Sequence, residues 1–343
     1  MDGSPRERDF PPMKERRIDI GIINYNGGDH LIGCIESLQN MRGCAVTIYV
    51  LDNASSDGSM ERARSAFPGH VYLDSPVNLG YAGGINLLLA SMTAPIVAFC
   101  NMDLEFSPDW AGHIIDCFDS DPDAASVASL VIEKESGSVY SSAVNFFWDL
   151  FPVSSRCTPD TDQPYEVASA YGAVMTFRRE LFDRIGRFDH DYFLFFEETE
   201  FYLRMHLNSE KTILCPCARV YHHRSLSTIR FSGTKLFYSE RNRVMTAFKY
   251  LPWWYLPLIF PLSALRFGIM ASGGIPKADG SGKKISGVAT VMVILRAWLS
   301  AFRFLPREWA KRSRVRINSK QSASMLRFIA MNRLRLRDLT MQR

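Results

Sequence analysis

From Ile18 the chain alternates short apolar runs with stretches of helical spacing. Ile18 to Asn24 is bounded by an Asn/Gly turn and predicts a buried strand; Leu31, Ile35 and Leu38 then recur on one helical face. Val46 to Leu51 predicts a second strand, with Ser55-Ser56-Asp57 capping a helix over Met60 to Ala66. Val71 to Leu73, Gly83 to Met92 and Ile96 to Cys100 continue as strand, helix and strand. This alternation predicts an α/β protein with a mainly parallel, doubly wound sheet. Ligands of such sheets sit beyond the carboxyl ends of the strands, where Asn24, Asp52 and Asp103 fall.

Past Asp121 the pattern is mixed. Ala125 to Val131, Ser138 to Ala143, Gly172 to Phe177 and Arg219 to Tyr221 predict strands, while Glu180 to Arg184 and Glu197 to His206 predict helices. Residues between Phe151 and Tyr165 are too polar for core and suggest a lid or substrate loop. After Lys235 a helix over Leu236 to Tyr250 leads into Leu251-Pro-Trp-Trp-Tyr-Leu-Pro and an apolar run to Met270. A Gly/Lys-rich loop, Gly273 to Lys284, precedes a second apolar helix, Ile285 to Leu305. Prolines and Arg266 interrupt the first run, and Arg296 and Arg303 the second, so neither is a clean membrane span. Trp and Tyr flanked by basic residues suit a bilayer interface, and the alternative is a helical pair folded back on the catalytic domain.

Charge adds to this picture. The net charge is +4 over 343 residues, but Lys311 to Arg343 alone carries +9, leaving a mildly acidic body. A basic tail on such a body points to an anionic membrane surface and not to a nucleic-acid-binding core. Seven cysteines without a framework are expected to be reduced thiols of a cytoplasmic protein. The polar N-terminus lacks an apolar signal-peptide region and reads as a disordered lead-in. The expected divisions are residues 1–17 as lead-in, 18–232 as catalytic domain, 233–310 as apolar or amphipathic helices and 311–343 as basic tail.

Four segments carry candidate chemistry. Asp52 ends a strand in VLDNASSDGS, where a carboxylate fixed on rigid backbone can accept from a pyrimidine N–H or a ribose hydroxyl. In NLGYAGGIN, Gly80, Gly83 and Gly84 sit at a loop-to-helix junction, where backbone can approach a ligand and free N–H groups face an anion. Asp103 follows the buried strand before Asn101 and is placed to bind Mg²⁺ or Mn²⁺ with diphosphate oxygens, and Glu105 either assists or faces solvent. Glu197, Glu198 and Glu200 open a helix after a dense aromatic run. Partial burial and a like-charged neighbour raise a carboxyl pKa, as a general base requires. His222 ends a strand and becomes a candidate metal ligand, while Tyr238, Arg241 and Asn242 share a helix, where Arg241 can clamp phosphate.

Taken in order, INYNG, VLDNASSDGS, NLGYAGGIN, NMD, GAVMTFRRELFDRIGRFD, FFEETEFYLR and VYHH resemble glycosyltransferase family 2, particularly its bacterial rhamnosyltransferase-like members, over about Ile18 to Asn242. The resemblance implies a GT-A, Rossmann-like fold with a C-terminal helical, membrane-associating extension. It implies donor contacts from Asn24, Asn26, Asp52, Asn53, Asn78, Gly80, Gly83, Gly84, Asn86, Met102 and Asp103. Metal ligation falls to Asp103 and His222, base catalysis to Glu198 with Glu197 as the alternative, and acceptor or phosphate contacts to Tyr238, Arg241 and Asn242. The implied reaction is metal-dependent inverting transfer from a nucleotide-diphosphate sugar, best read as a deoxyhexose such as rhamnose. The acceptor would be a lipid-linked or cell-envelope glycan at the inner face of the cell membrane. This chain departs from the family pattern at Asn101, where the D-x-D-type element has its first acid, at Glu198 and Glu200, where Asp is usual, and at Arg224-Ser225-Leu226-Ser227 after the histidines. Among rivals, a nucleotidyltransferase needs a basic residue in an N-terminal Gly-rich loop, and residues 24–29 offer none. A non-catalytic scaffold on the same fold would lack metal-dependent donor binding. Oligomeric state is left open.

Overall fold

A computed structural model describes residues 16–223, 233–272, 287–315 and 319–332. The first layer unit runs β1 (Arg17–Asn24), α1 (Gly28–Gln39), β2 (Ala45–Asp52), α2 (Ser59–Ala66), β3 (Val71–Asp74), α3 (Gly80–Ser91) and β4 (Ile96–Asn101). There follow β5 (Leu104–Phe106), α4 (Trp110–Ser120), β6 (Ala124–Glu133), β7 (Val139–Ser141), β8 (Ala143–Phe146), β9 (Pro152–Ser155), β10 (Tyr165–Glu166), β11 (Val174–Arg178), α5 (Leu181–Ile185), α6 (Glu197–Leu207) and β12 (Lys211–His222). Four C-terminal helices close the described chain: α7 (Gly233–Tyr250), α8 (Ile259–Ser272), α9 (Gly287–Val315) and α10 (Ser319–Met331).

One sheet runs β10-β12-β6-β11-β4-β1-β2-β3. The β3-β2-β1-β4 half is parallel, as the alternating pattern predicts, and β11 enters antiparallel between β4 and β6. Register aligns Asn24 with Asp52 and Ile23 with Asn101, so the carboxyl ends of three strands open at one level. Ile18, Ile20, Ile22 and Val50 are buried on one face of the sheet, while Leu51, Val97 and Phe99 belong to the core on the other. Both faces are covered, which is why these strands read as continuous apolar runs.

Several expectations change in detail. α3 begins at Gly80 and not Gly83, because Asn53 Oδ1 accepts from Leu79 N at 2.8 Å and Asn78 Oδ1 from Gly80 N at 2.8 Å, satisfying the first amides. The stretch expected as a free loop from Phe151 starts as β9, paired antiparallel with β8. The Gly/Lys-rich loop, the residues after His223 and the N-terminal lead-in to residue 15 lie outside the described residues.

The C-terminal helices share a core with the α/β domain. Tyr192, Phe196 and Leu203 pack with Val244, Met245, Tyr250, Ala301, Met325 and Ile329. A buried ionic network adds to that joint. Arg266 Nε lies 2.9 Å from Asp149 Oδ2 and its Nη2 2.6 Å from Glu240 Oε1, while Arg243 Nη2 lies 2.8 Å from Glu240 Oε2. All four side chains are at most 1% exposed, so removing one partner alone would cost about 3–5 kcal/mol. Arg266, which the sequence reading treated as an interruption, thus ties α8 to the domain.

On α9, Ile294, Ala297 and Ala301 face inward, while Val288, Val291, Met292, Leu295, Leu299 and Phe302 form an exposed apolar stripe. Gly287–Arg312 is long and apolar enough to cross a membrane by length and composition alone, with Arg296 and Arg303 inside it. The expected basic tail begins inside α9, and α10 packs its Met325 and Ile329 into the shared core.

Candidate active site

Asn24 is fully buried and works as a bracket. Its Oδ1 accepts from Gly27 N at 3.2 Å, and its Nδ2 donates to Ser55 Oγ at 3.1 Å and Ser59 Oγ at 2.9 Å. Asn26, at φ 53°, receives Ser56 N on its Oδ1 at 2.8 Å. Asp52 Oδ1 accepts from Ser55 N at 3.1 Å. The predicted capping segment acts through Asp57, whose Oδ1 accepts from Ser59 N at 3.1 Å and Ser59 Oγ at 2.6 Å. These bonds fix the loops after β1 and β2 against each other and leave Asp52 half-exposed at the strand end.

Five of the expected donor residues spend their contacts on the fold. Asn86 donates to Phe188 O at 2.8 Å and accepts from Phe188 N at 3.1 Å, pinning a loop from outside α3. Gly84 packs against Leu51 and Ile23, where an added Cβ would lie 3.3 Å from Leu51 Cδ2. Gly80, at φ 70°, lets backbone approach backbone: a Cβ there would come within 2.1 Å of Phe193 O. Gly83 is crowded by Leu79, whose Cβ would lie 2.8 Å from an added one. Asn53 joins the same junction, donating to Asn78 Oδ1 and Gly80 O, each at 3.2 Å.

The approach at Gly80 links the donor loop to the acidic helix. Tyr81 N donates to Phe193 O at 2.6 Å. Phe193, Phe195 and Phe196 all hold positive φ, at 59°, 61° and 73°. For non-glycine residues each such conformation costs about 1–3 kcal/mol and persists only when neighbours enforce it. Asn242 and Arg241 enforce it. The Asn242 amide contacts Tyr192 O at 2.8 Å, Leu194 O at 3.0 Å and Phe195 O at 2.6 Å. Arg241 Nη2 donates to Asp191 O at 3.0 Å and Tyr192 O at 2.9 Å, and its Nε to Asn242 Oδ1 at 2.8 Å. Arg241 and Asn242, expected to contact acceptor or phosphate, are both buried, and these groups meet the turn carbonyls. Tyr238 is half-buried, with its ring 5.4 Å from that of Phe193 and under the Arg241 guanidinium.

The turn delivers three acids with three different fates. Glu200 is fully buried, yet Arg204 at 2.9 Å, Lys249 at 2.7 Å and the Tyr250 hydroxyl outweigh the desolvation and hold it well below the carboxylate range. Glu197 is buried, with Oε2 lacking a hydrogen-bond partner among the described residues, and burial first and Glu198 second push its carboxyl well up. Glu198 stays half-exposed. Burial raises its carboxyl too, opposed by the amides of the helix start and by Lys235. Its side chain lies against Gly172, where an added Cβ would sit 3.1 Å from Glu198 Cδ.

Asp103 and His222 converge from opposite ends of the domain. Antiparallel pairing of β5 with β12 sets His222 beside Leu104, and His222 Nε2 lies 3.8 Å from Asp103 Oδ2. Both are buried, and Asp103 Oδ1 has no hydrogen-bond partner among the described residues. Burial lowers the His222 pKa against the pull of Asp103, which leaves its ring nitrogen available as a ligand. A hard oxygen and an imidazole nitrogen fit a divalent cation that completes its shell from substrate. Among the described residues no larger group of His, Cys, Asp or Glu gathers for a metal. Glu105 turns away, its carboxylate pairing with Lys134 and with His223 Nε2 at 2.7 Å.

Sequence reasoning missed the aromatic lining. Tyr140 stacks on His222 with ring centroids 5.2 Å apart, and Tyr171 meets it edge-on at 6.1 Å. Tyr81 donates to Gly172 O at 3.0 Å. Its phenol is held well above its ordinary value by burial and then by Cys100, Glu197, Glu198 and Asp103, so the acids share its surroundings. Tyr81 lies inside NLGYAGGIN, and Tyr171-Gly172 directly precedes β11, but only the fold brings them together. Met102 shelves the Asn24–Gly27 turn, where a Cβ on Gly27 would lie 2.7 Å from its Cγ.

A family model, Glycosyl transferase family 2, matches residues 19–186. An N-acetylglucosaminyl-diphospho-decaprenol L-rhamnosyltransferase of Mycobacterium tuberculosis is 25% identical over 292 residues, covering 76% of this chain and 95% of the relative. The low-salt glycan biosynthesis hexosyltransferase Agl10 of Haloferax volcanii is 23% identical over 67% of this chain and 75% of its own. A crystal structure of GalNAc-T7 with UDP, GalNAc and Mn²⁺ superimposes with a TM-score of 0.59 at 14% identity, over 87% of this chain and 57% of that one. S. aureus TarS 1-349 does so at 0.52 and 13% identity, over 91% and 89%. These likenesses establish a GT-A fold.

Proposed function

Because this chain belongs to glycosyltransferase family 2, matched over residues 19–186, we propose that it moves a deoxyhexose, best read as rhamnose, from a nucleotide-diphosphate sugar to a lipid-linked glycan. The relative aligned over 95% of its length is a rhamnosyltransferase acting on a decaprenol-linked N-acetylglucosamine, and that supports both sugar and acceptor class. The observation that carries the reading is the meeting of the Asp103–His222 pair with the Glu197–Glu198 pair around Tyr81 and Tyr171.

In this reading Glu198 is the base. It is the more accessible member of the acidic pair, half-exposed where Glu197 is only 5% exposed, and can meet an acceptor hydroxyl. Its carboxylate takes the hydroxyl proton. The oxygen then bonds to the anomeric carbon, the bond from that carbon to the diphosphate oxygen breaks, and its electron pair leaves with the nucleoside diphosphate. Attack opposite the leaving group inverts the anomeric centre. Asp103 and His222 would hold Mg²⁺ or Mn²⁺, which when bound neutralises charge on the diphosphate. Asp52 would receive the base or ribose of the donor.

A thermal-shift panel of nucleotide sugars, with and without Mn²⁺, tests the donor. A nucleoside-diphosphate deoxyhexose should raise Tm most, and more with the ion. A larger response to a hexose donor would overturn the sugar assignment; no metal-dependent response to any donor would favour the non-catalytic scaffold.

The exposed stripe on α9 with Trp253, Trp254, Leu258 and Leu265 supports a place on the cytoplasmic face of the membrane. Trp254, 66% exposed, and Leu299, also 66% exposed, should matter most. Replacing both by Ala is expected to reduce co-sedimentation with neutral as well as anionic vesicles. Unchanged sedimentation would remove this face from the membrane.

A further inference from the structure

The first residue of the expected basic tail faces acids of its own chain. Lys311 Nζ lies 2.8 and 2.6 Å from the two oxygens of Asp189, 2.8 Å from Asp191 Oδ2 and 2.7 Å from Glu308 Oε1. Glu308 precedes it by three residues on α9. Asp189 and Asp191 belong to the segment that enters the left-handed turn before α6. Lys249 grips the same cluster from α7, 3.1 Å from Asp189 Oδ2 and 2.7 Å from Glu200 Oε1.

Asp191 is where this cluster meets the site. Lys311 holds its side chain and Arg241 its carbonyl, and the next residues carry the positive φ values that aim Glu197 and Glu198. Take away the Lys311 charge, and Asp189, Asp191 and Glu308 share one partly buried spot with less positive charge than negative. Lys249 remains on Asp189 and Glu200, and its bonds go to those two and not to Asp191. Arg307 lies 3.4 Å from Asp191 but is 69% exposed, so solvent weakens its hold. Repulsion would drive Asp191 away from α9 and loosen a turn that its own backbone does not favour.

We infer that Lys311 is a positioning residue for sugar transfer: it locks Asp189 to Phe196 so that Glu198 meets the acceptor hydroxyl. The helix with the exposed apolar stripe is thereby part of the catalytic unit. This inference rests on Glu198 being the base of the proposed reaction. Removing residues 311–343 takes away Lys311 and α10, so transfer to a soluble acceptor analogue should be lost along with any tail contribution to vesicle binding.

The test uses the full chain with K311M, K311R and D191N, alongside wild type and E198Q. K311M should lose about ten- to a hundredfold in kcat, the scale of a small misplacement of a reacting group, with donor Kd within about twofold of wild type. K311R keeps the charge and should recover most of the rate. D191N frees the turn from Lys311 while leaving the ammonium paired with Asp189 and Glu308, so it should lower kcat even if K311M fails to fold. A folded K311M or D191N with wild-type kcat overturns the inference, and so does a K311M whose donor Kd weakens as much as its rate. E198Q separates this from the functional reading. An E198Q that turns over normally sinks the base assignment and the inference with it; a crippled E198Q beside a normal K311M sinks only the positioning role.

Discussion

Glu198→Gln is expected to lose at least about a hundredfold in turnover while donor affinity holds, the usual scale for removing a general base. Gln keeps the shape of the side chain against Gly172 and cannot take a proton. The pH dependence should follow. The Glu198 carboxyl is raised by burial, so wild-type rate falls as pH drops through that raised value, and the variant should lack this limb. Glu197→Gln is the control. Glu197 is also raised, so ionising it costs folding energy: its contribution is fully present below the unfolded carboxyl value of about 4.5 and is lost as pH rises through the folded one. The E197Q variant should therefore gain Tm relative to wild type as pH rises above the unfolded value of about 4.5. If E197Q proves the slower enzyme, the roles of the two acids must be exchanged.

The second large effect belongs to Asp103. Asp103→Asn should abolish turnover and erase the metal-dependent part of donor binding. Among the described residues its Oδ1 has no hydrogen-bond partner to lose, so Tm should change little. Isothermal titration of donor with and without Mn²⁺ reads this directly. Wild-type turnover with ordinary metal dependence in the variant would disprove Asp103 as the anchor. A large fall in Tm would instead mark it as a structural group.

Part of the site was legible because strand ends are written locally. An apolar run that stops at Asp52 or Asn101 marks the end of a buried parallel strand, and the fold puts such ends at the ligand edge. Glu197 and Glu198 were legible for a similar reason, since acids at a helix start after aromatics form a local pattern. The glycines were only half legible. Gly80 and Gly84 advertise close approach, and the structure brings Phe193 to one and Leu51 and Ile23 to the other, but no local signal says what will approach. The same holds for Arg241, because a guanidinium suited to phosphate suits backbone carbonyls equally well.

The sequence by itself determined the alternating α/β order, the strand ends carrying Asn24, Asp52 and Asp103, the acidic helix start and the apolar character of the C-terminal helices. Each follows from periodicity or residue type within a few positions. Tertiary structure alone decided which acids remain for chemistry. Glu200 is neutralised by Arg204, which lies within its own helix, and by Lys249 from α7, while Glu105 is drawn off by Lys134 and His223. It also brought His222 to Asp103 across more than a hundred residues and set Lys311 against the turn that carries Glu197 and Glu198. The physical reason is the same in each case. A charged side chain settles by the partners within a few ångströms and by its access to water, and residues far apart in the chain supply both.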